Sequence, residues 1–145
     1  MSDTHRPTPT FTESEERYYV ALVNNAANAI GLPVYIEDGW LRNDERSRLM
    51  WYFIAKKLEL HFDDHFGALQ DGLRLWENDK DIQPFWCHAW GRVLGQIQQG
   101  HFDVLYEPSE RMQQLRSHPL PGTPKLDDKL RYKIITTIAK RCRPR

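Results

Sequence analysis

Apolar residues recur at helical spacing along most of the chain, and glycine, proline and short polar turns separate the segments they mark. The first segment opens at Thr12, which can form a capping box with Glu15, and closes at Gly31, just before Pro33. Its apolar positions are Tyr19, Leu22, Val23, Ala26 and Ile30. The pattern therefore predicts a first helix that begins after Thr12.

Residues 34–41 allow two interpretations. Val34, Ile36 and the Asp38-Gly39 turn pair are typical of a very small hairpin. An ordered loop that places Trp40 in the core fits the same residues, because an isolated hairpin is weak in water.

Later segments predict further helices. Asn43 or Asp44 can cap a second helix, whose run from Leu49 to Ala55 is apolar on every side, as expected of a central element. A third helix has a single apolar face, made of Phe62, Phe66, Leu69, Leu73 and Trp76. Asp81 caps a fourth helix with Pro84 in its first turn, and Pro108-Ser109 opens a short fifth one. Thr123-Pro124 has the form of a cap and first turn for the last helix.

These elements predict an all-α fold, a compact bundle of five or six helices. With 145 residues, 40% of them apolar, the chain has the size of one domain. We expect a flexible arm at residues 1–10, a single helical domain at 11–140 and a basic tail at 141–145. Because no signal peptide or membrane-length apolar run is present, and the two cysteines do not form a disulfide framework, we expect a cytoplasmic protein with no membrane partner.

Charge is segregated although the formal net charge is zero. Residues 125–145 carry eight basic and two acidic side chains, which gives +6, whereas residues 59–81 carry seven acidic and two basic ones, which gives −5. Acidic surfaces steer toward basic partners. We therefore take Asp63, Asp64 and Asp71 as candidate protein-binding residues, with Trp40 as an exposed anchor, since tryptophan is enriched at binding hot spots.

The basic segment is a candidate nucleic-acid surface, because contacts to phosphate need only such charges. Its candidate residues are Lys125, Lys129, Lys133, Lys140 and Arg141. The sequence contains no recognisable helix-turn-helix and no aromatic RNA-binding motif, so a solvated helix face explains the same charges.

Two histidine patterns raise enzymatic alternatives. On a helix, His61 and His65 would lie one turn apart and could share a metal ion. The pattern is superficially similar to the zinc protease motif H-E-x-x-H, but Phe62 stands where the catalytic glutamate belongs, so no protease activity is implied. We expect no metal site and no cofactor, since two ligands do not complete a zinc sphere.

Arg111 and His118 form the second pattern, an arginine followed by a histidine after six residues. It resembles the R-x(4–6)-H signature of HEPN-type helical ribonucleases. The resemblance implies metal-independent RNA cleavage, usually across a homodimer, and it covers only these two residues.

No phosphate-binding loop, nucleophile elbow or paired CxxC is present, which weighs against the common enzyme classes. The sequence thus favours a non-catalytic protein-binding module of the small inhibitor, immunity or adaptor type. A nucleic-acid-binding accessory protein is the second hypothesis, and an enzyme is the third.

Overall fold

The computed structural model describes residues 8–37 and 40–143. At positions 37, 40, 41 and 143 it describes only the backbone. This part of the chain contains six α-helices: α1 (Glu13–Ala29), α2 (Trp40–Leu60), α3 (Phe62–Glu77), α4 (Pro84–Gln98), α5 (Glu110–Arg116) and α6 (Asp128–Arg141). A 3₁₀-helix (Phe102–Tyr106) lies between α4 and α5. The prediction of an all-α fold with five or six helices is confirmed.

Contacts divide the chain into two units, one made of residues 1–46 and 126–145 and the other of residues 47–125. The boundary falls within α2, shortly after its first turn. The expectation of one domain over residues 11–140 stays a prediction. The expected arm lies mostly outside the described residues, since the structure describes only residues 8–10 of it.

In the first unit, α1 packs against α6. Thr12 and Glu15 form the predicted capping box, and Gly31 follows the helix with a φ of +75°, a conformation that glycine adopts without strain. Phe11 covers the pair of helices through ring contacts with Tyr19 and Tyr132. The first helix is therefore capped at both ends as the sequence predicts.

The hairpin interpretation of residues 34–41 was wrong. Strand β1 (Ile36–Glu37) pairs in parallel with β2 (Cys142–Arg143), with Ile36 opposite Cys142. The Asp38-Gly39 turn lies outside the described residues, and Trp40 already belongs to α2. Ile36 pairs with this distant segment because the chain leaves α6 in extended conformation beside it, and Ile36 is buried.

The second unit contains α3, α4, α5, the 3₁₀-helix and most of α2. Here α3 packs on α4, and α4 packs on both the 3₁₀-helix and α5. Trp51 of α2 lies 5.9 Å from Trp90 of α4, ring centre to ring centre. Arg48 donates to the carbonyl of Tyr106 and Arg116 to those of Leu105 and Glu107, so two buried guanidinium groups hold the end of the 3₁₀-helix.

Three helix starts differ from the predicted ones. α2 begins at Trp40, ahead of the predicted caps Asn43 and Asp44. Gln83 stands at the N-cap position of α4 without a side-chain capping hydrogen bond. Asp81 does not cap this helix because it belongs to the preceding turn, where its N–H donates to the side chain of Asp79.

The last helix also starts later than predicted. Thr123 donates its hydroxyl to the carbonyl of Leu120 and so completes a turn of its own. The side chain of Asp127 accepts from the N–H of Leu130 and caps α6 in its place. The local Thr-Pro signal therefore marked a turn and not the helix.

Candidate functional site

Helix α3 presents an acidic face to solvent. Its buried residues include Phe66, Leu69 and Gly72, which lie on one side of the helix. The opposite side carries three exposed carboxylates, which we call the α3 acidic face: Asp63, Asp64 and Asp71. Their positions span about 100° of the helix surface at 100° per residue. The three acidic candidates from the sequence therefore share one exposed surface.

A close backbone approach fixes the buried side of α3. A Cβ at Gly72 would stand 2.7 Å from the carbonyl carbon of Pro121, and a Cβ at Gly122 would stand 2.8 Å from that of Ala68. Both glycines are needed because any larger residue would push the connector between α5 and α6, which contains Pro121 and Gly122, away from α3. This approach orients the acidic face outward.

Internal ion pairs leave most of the acidic face uncompensated. Asp71 pairs with Arg74, and both side chains are largely exposed. Within the described residues, Asp63 and Asp64 have neither an ion pair nor a side-chain hydrogen bond. Exposed ion pairs contribute about 0–1 kcal/mol, so the Asp71–Arg74 pair does not prevent Asp71 from meeting a partner.

Large apolar side chains are exposed in the same unit. Leu75 of α3 is 64% exposed, Leu60 at the end of α2 is 76% exposed, and Phe85 in the first turn of α4 is 52% exposed. Asp64, Asp71 and Leu75 are spaced at i, i+7 and i+11, which places them on one side of α3. The acidic face therefore has an exposed leucine at its edge.

The basic helix α6 is, in contrast, partly neutralised within the chain. The ammonium of Lys129 lies 2.6 Å from a carboxylate oxygen of Glu15, and that of Lys133 lies 2.7 and 2.8 Å from the two oxygens of Glu16. Lys133 is only 6% exposed. The hydrogen bond from Lys129, followed by the one from the N–H of Thr12, lowers the pKa of Glu15.

Arg141 organises the loop after α1. Its guanidinium donates to the carbonyls of Leu32 and Pro33 and to the side-chain oxygens of Asn24 and Asn28, at 3.2–3.4 Å. All four acceptors are neutral, so the positive charge of Arg141 is not compensated by these contacts. Lys125 and Lys140 are exposed.

A pocket lies between α1 and α6 in the first unit, with a volume of about 270 Å³. It is lined by Val20, Asn24, Val34, Lys133, Thr136, Thr137, Lys140 and Arg141. Three of the five basic residues singled out from the sequence thus meet at one concavity. The sequence did not indicate the other lining residues, because only the packing of α1 on α6 brings them together.

The histidines do not form a metal centre in the described part of the chain. His61 is the non-helical N-cap of α3 and His65 lies in its first turn, with ring centres 6.3 Å apart. Among the described residues, no group of three or more histidine, cysteine, aspartate or glutamate side chains is placed to hold a metal ion.

Arg111 and His118 have separate surroundings. The ring of His118 stacks on Trp86 at 4.3 Å, its Nδ1 lies 3.2 Å from the carbonyl of Gln114, and its own carbonyl accepts from the indole of Trp90. Arg111 lines a small cavity of about 60 Å³ on α5. Within the described residues, no hydrogen bond joins the two side chains.

Burial raises the pKa of the Cys87 thiol, and the charge of Glu77 adds to this effect. Both Cys87 and Cys142 are free thiols. Since the thiolate is the reactive form, Cys87 has the character of a structural cysteine.

The side chain of Trp40 lies outside the described residues, so its predicted role as an exposed anchor stays a prediction. No described helix is both long enough and apolar enough to cross a membrane. No protein-family model matches the chain, and neither a curated protein nor a solved structure is significantly similar to it.

Proposed function

We propose that this chain is a non-catalytic binding module that docks the α3 acidic face on the basic surface of a partner protein. In this proposal the chain is of the small inhibitor, immunity or adaptor type. The observation that carries the proposal is the unequal use of charge. The acidic side chains of α3 are exposed and mostly unpaired within the described residues, whereas α6 uses Lys129 and Lys133 internally.

Uncompensated exposed charge suits partner recognition for a kinetic reason. Complementary charges can raise association rates from about 10⁵–10⁶ M⁻¹s⁻¹ to about 10⁸ M⁻¹s⁻¹ or more at low salt. Leu75 lies at the edge of the face and adds apolar surface that would be buried on binding. Such burial slows dissociation. Charge would therefore set the association rate, and Leu75 would set the lifetime of the complex.

Nucleic-acid binding through α6 has less support. Lys129 and Lys133 would have to give up carboxylate partners before they could neutralise phosphates. That leaves Lys125, Lys140 and Arg141 as the cations of the candidate set without an acidic partner. The affinity of a nucleic-acid surface rises with the number of phosphates it neutralises, so three cations predict weaker binding than the five that the sequence indicated.

The enzymatic alternatives also have less support. Stacking on Trp86 and the contact with Gln114 give the His118 ring a packing role. A ribonuclease would need this histidine beside Arg111 and a substrate hydroxyl. RNA cleavage by wild type that is lost in His118→Ala would favour that alternative.

Affinity capture from a nuclease-treated lysate of the source cells tests the proposal. Wild type is compared with Asp64→Asn/Asp71→Asn, and with the matched control Asp103→Asn/Glu110→Gln, which removes two exposed charges outside α3. We expect a stoichiometric protein with a basic surface to be retained by wild type and by the control, and to be lost from the α3 variant. Equal retention by all three, or an acidic captured protein, would contradict the proposal.

A further inference from the structure

We propose that the pocket between α1 and α6 binds a small phosphomonoester. The inference does not rest on the proposed function, because the α3 acidic face belongs to the other unit of the chain. None of the pocket's lining residues is acidic, and three of them are basic. The net positive charge of the lining residues is therefore the sign expected of an anion-binding site.

The charge balance at the pocket matches a dianion. Lys133 is neutralised by Glu16, which lies next to it without lining the pocket. Arg141 has only neutral acceptors, and within the described residues Lys140 has neither an ion pair nor a hydrogen bond. Two positive charges thus stay uncompensated. The carbonyl end of α6 offsets about half of one charge. A phosphomonoester carries about −1.5 to −2 near neutral pH.

The hydroxyl of Thr137 gives a second indication. Thr137 is only 7% exposed and lines the pocket. Within the described part of the chain, its hydroxyl has no hydrogen-bond partner. Since it faces the pocket and has no partner there, this hydroxyl can donate to a ligand oxygen. The neighbouring Thr136 differs, because its hydroxyl donates to the carbonyl of Lys133.

The size and the apolar lining describe the rest of the ligand. The pocket has a volume of about 270 Å³, which is enough for a small organic anion. A phosphate joined to one six-membered ring is such an anion. Val20 and Val34 supply the apolar contact for such a ring. The arrangement thus favours a monoester with an apolar group over inorganic phosphate.

An NMR titration of the full chain tests the inference, with phenyl phosphate, inorganic phosphate, phenol and a single-stranded oligonucleotide as probes. Lys140→Gln removes an exposed cation without breaking any described contact, and Thr137→Val removes the free hydroxyl at constant shape. Lys125→Gln removes one charge of the same basic segment outside the pocket lining and is the matched control. Thermal unfolding shows whether each variant is folded.

We expect phenyl phosphate to shift the amides of Thr137, Lys140 and Arg141, and to bind more tightly than inorganic phosphate or phenol. Lys140→Gln and Thr137→Val should each weaken the affinity about tenfold, as expected for the loss of one charge-assisted hydrogen bond, while Lys125→Gln leaves it unchanged. If Thr137→Val does not fold, Lys140→Gln and its control decide. Three results would overturn the inference: no amide shifts with phenyl phosphate, equal weakening by Lys125→Gln, or binding of the oligonucleotide alone.

Discussion

Replacing Glu16 with glutamine removes the negative charge that faces the buried ammonium of Lys133. The two oxygens of Glu16 lie 2.7 and 2.8 Å from that ammonium, and Lys133 is 6% exposed. Hydrogen bonds to charged groups contribute about 1.5–3 kcal/mol. The side chain of Glu16 is 47% exposed, so solvent screens the pair and the loss falls near the lower end, about 1.5 kcal/mol.

The matched control for this change is Glu13→Gln. Glu13 lies in the same first turn of α1 and pairs with Arg17, but its side chain is 88% exposed and that of Arg17 is 69% exposed. Both substitutions remove the same favourable interaction with the helix dipole. The difference between them therefore isolates the contact with the buried lysine.

Thermal unfolding followed by circular dichroism measures the effect. A loss of about 1.5 kcal/mol should lower the Tm by roughly 3–6 °C in a chain of this size, and Glu13→Gln should lower it by about 1 °C or less. The double variant Glu16→Gln/Lys133→Met should recover most of the loss, since a buried pair can be replaced by apolar side chains at little cost. Equal Tm values for Glu16→Gln and Glu13→Gln would refute the view that Lys133 depends on Glu16.

Three further predictions concern other parts of the molecule. Gly72→Ala should destabilise the chain by about 2 kcal/mol or more, because its Cβ would overlap the connector backbone, whereas Gly67→Ala on the same helix meets nothing within 4 Å and should stabilise it by about 0.5–1 kcal/mol in denaturant titrations. In native protein, a thiol reagent should modify Cys142 before Cys87, whose pKa is raised by burial; simultaneous labelling would contradict this. Because the pKa of Glu15 is lowered in the folded protein, the stability that its carboxylate contributes is fully present above the ordinary pKa of 4.5. This contribution is lost as the pH falls through the lower pKa of the folded state. Glu15→Gln should therefore lose less stability than wild type on acidification.

Elements with strong local signals were predictable from the sequence. The capping box at Thr12 and the glycine at position 31 bound α1 almost to the residue. The apolar stripe beginning at Phe62 gave the buried side of α3, and the exposure of Asp63, Asp64 and Asp71 follows from it. In these places local propensity and tertiary packing agree.

Features that depend on distant partners were not predictable. Strand β1 pairs with residues at the other end of the chain, and no local pattern around Ile36 indicates that partner. The spacing of Lys129 and Lys133 indicated a basic helix surface. Their ion-pair partners are the consecutive Glu15 and Glu16, which lie on α1. The i, i+4 spacing of the lysines beside two consecutive glutamates was the available signal. It acquires meaning only once α1 is known to pack on α6.

The pocket could not be predicted for a similar reason. Asn24 and Val34 come from the first part of the chain, and Thr137 and Lys140 from the last. Neither segment has a motif that indicates a ligand, and the position of the Thr137 hydroxyl in the pocket becomes evident only from the packing of α1 on α6. From charge alone, Lys133 and Lys140 were assigned to a candidate nucleic-acid surface.

The association rate of the captured partner, measured by surface plasmon resonance at about 50 mM and about 300 mM salt, tests the role of α3 most directly. The account predicts that the rate for wild type falls steeply with salt, and that Asp64→Asn/Asp71→Asn binds severalfold more slowly at low salt, with a flatter salt dependence. Identical rates for wild type and this variant at both salt concentrations would contradict it.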